Sequence, residues 1–147
     1  EIAGEQGFAW SSRILMFAAM VENAGEAATA DNPMLRDYHY EASEVAAAPD
    51  KIIAVLQRLG QQLSAQSDAG SRYLVGDRLS ALDIYWACFS QMLDPLPPAV
   101  NPMPDYLYRI WGLTAKAAEN TGFQPDKALL EHRDYIFPTY LTWPLDF

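Results

Sequence analysis

Tyr73-Leu74-Val75-Gly76-Asp77-Arg78-Leu79-Ser80-Ala81-Leu82-Asp83-Ile84 is the stretch that decides the fold. With Ser80 as N-cap, Asp83 falls at N3. The hydroxyl then accepts from the N3 amide while the carboxylate reaches back to the Ser80 amide, which satisfies two of the donors a helix start leaves open. Leu79 and Ile84 occupy N′ and N4, the positions that pair as a hydrophobic staple. The helix so started runs to about Met92, where Pro95, Pro97 and Pro98 forbid its continuation.

Outward from this start the pattern stays helical. Ile52, Val55, Leu56, Leu59 and Leu63 share one face of a helix read from Pro49, opposite Lys51, Gln57, Arg58, Gln61 and Gln62. Phe8 to Asn23 reads as a helix that is apolar at every position from Ile14 to Val21, so it needs cover on more than one side. Part of that cover is expected from outside the chain, through a further domain or a second copy. Tyr106 to Trp111 and a last helix after Pro125, with Leu129, Leu130, Arg133, Ile136 and Phe137, complete the set. Residues 25–48 show no clean period and read as a loop with an uncertain helix. Only Tyr73-Leu74-Val75 resembles a strand, and three residues make no sheet. The expected fold is an all-α helical bundle, with the Ser80 helix at its centre and an apolar tail Trp143-Pro144-Leu145-Asp146-Phe147.

Bulk properties bound the function. At 147 residues and 50% hydrophobic content the chain fits one domain, residues 1–147, with a sizeable core. A net charge of −9 disfavours phosphate backbones and anionic lipid surfaces, so neither nucleic acid nor membrane is an expected partner. The single cysteine, Cys88, cannot form an intrachain disulfide, and a cytoplasmic setting is expected.

The 73–84 stretch closely resembles the segment leading into the buried core helix of glutathione S-transferases, where a Gly-Asp turn precedes a capping box. Gly4-Glu5-Gln6-Gly7-Phe8-Ala9-Trp10 with Arg13 extends the likeness to a poorly characterised transferase-like subgroup. So does Leu130-Glu131-His132-Arg133-Asp134-Tyr135-Ile136 with the Pro144–Phe147 tail. The resemblance implies the C-terminal helical domain, which follows a thioredoxin-like domain that holds glutathione and activates its thiol. That domain is expected to be absent from this chain, so no catalytic residue and no cofactor is assigned here. Glutathione is expected as co-substrate of the full-length protein, with a homodimer and a hydrophobic small-molecule co-substrate among its partners. Phe8, Trp10 and Arg13, at the start of the helix that faces the cleft in the resembling family, are the candidate substrate-binding residues.

Other chemistry finds no support in the residues. His39 and His132 belong to no spaced ligand set and read as surface or capping histidines, so no metal site is expected. Cys88 reads as a buried small hydrophobe. Two further readings stand beside the transferase one: a non-catalytic protein-protein interaction module of the same helical fold, and an unrelated helical small-molecule binder.

Overall fold

The computed structural model describes residues 1–142, so the expected apolar tail at 143–147 lies outside the described residues. Its helices are α1 (Phe8–Ala24), α2 (Glu26–Thr29), α3 (Pro33–Asp37), α4 (Ala42–Asp68), α5 (Ala81–Phe89), α6 (Asp105–Glu119) and α7 (Lys127–Tyr140). A 3₁₀ turn, Ser90–Met92, extends α5. The fold is all-α, with no strand among the described residues. No described helix is long and apolar enough to cross a membrane.

The bundle is built around α1, which packs on α4 and α6. Phe8 and Ala9 enter a core with Ile52, Leu56, Leu59, Leu74, Trp86 and Leu129, while Ile14 and Phe17 form a second cluster with Ala48. Every residue from Gly7 to Val21 is at least half-buried. Two expectations are corrected here. The helix with no exposed residue over most of its length, Phe8 to Val21, is α1, whereas α5 shows Ala81 and Tyr85 to solvent. The apolar surface expected to remain open on α1 is largely covered within the chain: α2, α4 and α6 pack around it, Ile14 and Phe17 are buried, and the other six of the eight consecutive apolar residues are half-buried.

The start of α1 has no side-chain cap, since its N-cap is Gly7. Residues 1–6 fold back instead, and the carbonyls of Glu1 and Ile2 accept from the amides of Phe8 and Ala9 at 3.0 and 2.9 Å. This close crossing explains the glycine: a Cβ on Gly7 would lie 1.9 Å from the Glu1 carbonyl oxygen.

Helix α4 begins seven residues before Pro49, not at it. A proline inside a helix lacks the amide for the i−4 bond and marks a start in sequence. Here the alanine-rich turn before it continues the helix. Ala48 is buried, and Lys51 reaches Glu44 at 2.6 Å across two turns. Likewise α6 runs through Gly112 to Glu119, past the expected end at Trp111.

At the far end of the bundle α5 and α7 pack together. The Trp86 indole donates to the Leu129 carbonyl at 2.8 Å, and buried Arg133 clamps the Asp94 carbonyl at 2.6 Å and its carboxylate at 3.0 Å. Leu79 packs against the cluster of Ala87, Leu96, Ile136 and Phe137, and Ile84 is half-buried.

Candidate functional site

The capping box joins more than its own turn. Ser80 donates to Asp83 Oδ2 from its amide at 2.8 Å and from its hydroxyl at 2.5 Å, and its hydroxyl in turn faces the Asp83 amide. The other carboxylate oxygen, Oδ1, accepts from the Leu74 amide at 2.7 Å and from His132 Nε2 at 2.9 Å. The Leu74 carbonyl is taken by the Gln62 side chain at 2.8 Å. The strand-like Tyr73–Val75 segment is therefore pinned by side chains of α4 and α5 where a sheet would use a ladder. Burial alone would push the Asp83 carboxyl up; the bonds from Leu74, Ser80 and His132 outweigh it and hold the group below its ordinary range.

His132 is not at the surface. Its side chain is 2% exposed, and burial pushes the imidazole down against the opposing pull of Asp83. The neutral ring places its proton on Nε2, toward the carboxylate, and leaves Nδ1 as a buried acceptor with no partner among the described residues. Sequence gave no sign of this, because the partner carboxylate is 49 positions away.

The candidate ligand residues separate into two environments. Phe8 is fully buried, edge-on to Trp86 with centroids 5.8 Å apart, so it offers no surface to a ligand and belongs to the core. Trp10 and Arg13 are half-buried on the side toward α3. The Trp10 ring lies 4.4 Å from Tyr38, and the Arg13 guanidinium faces Tyr38 at 6.0 Å and Phe89 at 5.7 Å. Among the described residues Arg13 makes no ion pair. Its charge rests on two aromatic faces, a contact worth about 0.5–2 kcal/mol depending on desolvation.

Tyr38 is held by the end of α3. His39 takes φ 51°, and the amides of His39 and Tyr40 return to the carbonyls of Arg36 and Leu35 at 3.0 and 2.8 Å. This is the double bond of a Schellman cap, with Tyr40 and Leu35 packed in the same cluster. Histidine tolerates the left-handed conformation better than most residues do. Sequence reasoning does not find Tyr38 or Phe89, because nothing local says that either packs against α1.

The model of the glutathione S-transferase C-terminal domain matches residues 15–107, more than half of the chain. The chain belongs to the glutathione S-transferase C-terminal domain family. No curated protein and no solved structure matches it. The matched span of this transferase-type domain holds Tyr38, the capping box and Phe89. Phe8, Trp10, Arg13 and all of α7 lie outside it.

The remaining candidates carry little chemistry. Cys88 is half-buried and burial pushes its thiol up, away from the thiolate that a nucleophile requires. No group of three or more His, Cys, Asp or Glu residues placed to hold a metal ion occurs among the described residues.

Proposed function

We propose that this chain is the co-substrate-binding helical half of a glutathione S-transferase-like protein, with Trp10, Tyr38, Arg13 and Phe89 forming the contact for a hydrophobic small molecule. One observation carries the reading. Three aromatic faces and a guanidinium without an ion-pair partner among the described residues meet half-buried at one place, and such a set binds an aromatic or conjugated body and favours an acidic substituent on it. Phe8 supports this set from beneath as core and does not touch the ligand. In the same reading, glutathione is held and its thiol activated by a thioredoxin-like domain, and this chain supplies no catalytic residue.

The test is a fluorescence titration with 8-anilinonaphthalene-1-sulfonate, an aromatic body bearing an anion. Trp10→Ala and Arg13→Ala are each expected to weaken binding by about tenfold, about 1.4 kcal/mol. Equal affinity in wild type and both variants overturns the assignment. A homodimer belongs to the proposal as well. Since no apolar residue of α1 from Phe8 to Val21 is fully exposed, the second copy would use exposed apolar residues elsewhere, such as Val75, Tyr85 and Tyr106. Sedimentation as a monomer at high micromolar concentration would remove the dimer and leave the ligand site standing.

A further inference from the structure

Of the eight tyrosines in the chain, Tyr73, Tyr135 and Tyr140 meet where residues 71–76 lie against the end of α7, with ring centroids 6.2 to 6.4 Å apart. The Tyr73 and Tyr140 hydroxyls touch, oxygen to oxygen at 2.6 Å, while the Tyr135 hydroxyl stands further off, 3.5 Å from that of Tyr140. We propose that Tyr73 and Tyr140 form a site of oxidative modification. A one-electron oxidant of the peroxidase class, fed by hydrogen peroxide, joins the two rings into a dityrosine that locks the 73–75 segment to α7.

The contact between the hydroxyls is what selects this pair. Two phenoxyl radicals couple at the ring carbons next to the hydroxyl, so in the product both hydroxyls flank the new bond and hydrogen-bond to each other. Tyr73 and Tyr140 already share such a bond, which brings the hydroxyl ends of the rings, and with them the ortho carbons, together. Their planes are inclined by 51°, and the rings of the product are twisted likewise. What remains is a closing of the two rings. Pro138 removes one amide hydrogen bond from the last turns of α7, so Tyr140 sits on a turn with fewer bonds to break.

The pair is reachable from solvent and braced from behind. Tyr140 is 40% exposed and Tyr73 is half-buried. Tyr73 and Tyr135 pack on the cluster of Ala87, Leu96, Ile136 and Phe137, and the Arg72 guanidinium lies over the Tyr135 ring at 4.6 Å. A radical on an isolated surface tyrosine must find its partner on another molecule. Here the partner is held at contact distance in the same chain, and proximity favours the intramolecular product.

The reaction balances. Each phenol gives one electron to the oxidant and its hydroxyl proton to solvent, and the two radicals pair to form the carbon–carbon bond. The proton then lost from each bonded carbon returns at the oxygen and restores both phenols. Hydrogen peroxide takes up two electrons and two protons, its oxygen–oxygen bond breaks, and two waters leave.

The test treats the full chain at low micromolar concentration with a haem peroxidase and limiting hydrogen peroxide, and then isolates the monomer. Dityrosine fluorescence is expected in that monomer, and mass spectrometry of its digest is expected to find the Tyr73 and Tyr140 peptides joined with the loss of two hydrogen atoms. Tyr73→Phe and Tyr140→Phe keep both rings in place and are each expected to lower the monomer's dityrosine fluorescence at least tenfold. Tyr135→Phe, and Tyr85→Phe at an exposed position elsewhere, are expected to change it less than twofold. The linked monomer should unfold at higher urea than the untreated chain, because the link joins positions 67 residues apart. Absence of dityrosine from the monomer, linkage of other tyrosines, undiminished fluorescence in Tyr73→Phe and Tyr140→Phe, or a linked monomer no more stable than the untreated chain would each overturn the proposal.

Discussion

The imidazole of His132 on α7 donates to the carboxylate of Asp83, the N3 residue of the α5 capping box, across 2.9 Å of buried space. One carboxylate thus serves a helix start, an extended loop and a neighbouring helix at once. The packing of α5 on α7 depends on a group whose primary role is local.

That pair makes stability depend on pH. The native state resists protonation of His132, because burial lowers its affinity for a second proton, while the unfolded chain titrates near the ordinary 6.5. The unfolded state binds more protons below that value, so the contribution is full above it and is lost as pH falls through the lowered native value. Urea midpoints are expected to fall between about pH 7.5 and about pH 5.5, and His132→Gln to flatten that slope. Asp83, also lowered, adds a second loss only below its own ordinary 3.8. A wild-type midpoint that is constant over the first window, or rises toward acid, contradicts the arrangement.

The two members of the capping box are predicted to differ. Ser80→Ala removes one cap and is expected to cost about 1 kcal/mol. Asp83→Ala strands the Leu74 amide, the Ser80 amide and the His132 N–H together, and about 3–5 kcal/mol is expected. The capping geometry alone, as read in sequence, suggests similar costs for both. Chemical denaturation of the single mutants separates the cases, and equal losses would mean that the long-range bonds contribute nothing.

Gly7→Ala tests the fold-back of residues 1–6. The backbone at Gly7 is ordinary, with φ −83°, so the new methyl acts only through the Glu1 carbonyl that it would meet. A loss of at least about 1–3 kcal/mol is expected, as for overpacking elsewhere, with the Phe8 and Ala9 amides exchanging faster. Unchanged exchange at those two amides would show that the terminal segment does not cap α1.

What sequence could show was local chemistry. Ser80 and Asp83 are three residues apart, and their geometry follows from any helix that starts there; the α4 stripe from Ile52 to Leu63 likewise needs only the 3.6 period. Proline and glycine misled for equally local reasons. Pro49 and Gly112 carry the marks of helix ends, yet both sit inside helices whose tertiary contacts outweigh the lost bond or the added backbone freedom. The candidate site was half legible. Trp10 and Arg13 were picked out by resemblance, but their partners Tyr38 and Phe89 lie 25 or more positions away on other elements. The same resemblance groups Phe8 with them, but the structure places it in the core. On a helix, residues two apart point in different directions, and Phe8 turns to Trp86 while Trp10 turns to Tyr38.

That divergence gives the sharpest test of the ligand site. Phe8→Ala empties a fully enclosed aromatic position and is expected to cost about 3–5 kcal/mol of stability. Whatever protein remains folded should bind the naphthalenesulfonate probe with near wild-type affinity. Trp10→Ala should do the reverse, because Trp10 is half-buried and its neighbour Tyr38 retains Phe17 as a packing partner at 5.1 Å. About 1 kcal/mol or less of stability and about tenfold in affinity are expected to go. Denaturation and probe titration on the same two variants give four numbers. If Phe8→Ala lowers affinity and Trp10→Ala does not, the ligand approaches α1 from the Trp86 side, and the Trp10, Tyr38, Arg13 and Phe89 set is packing alone.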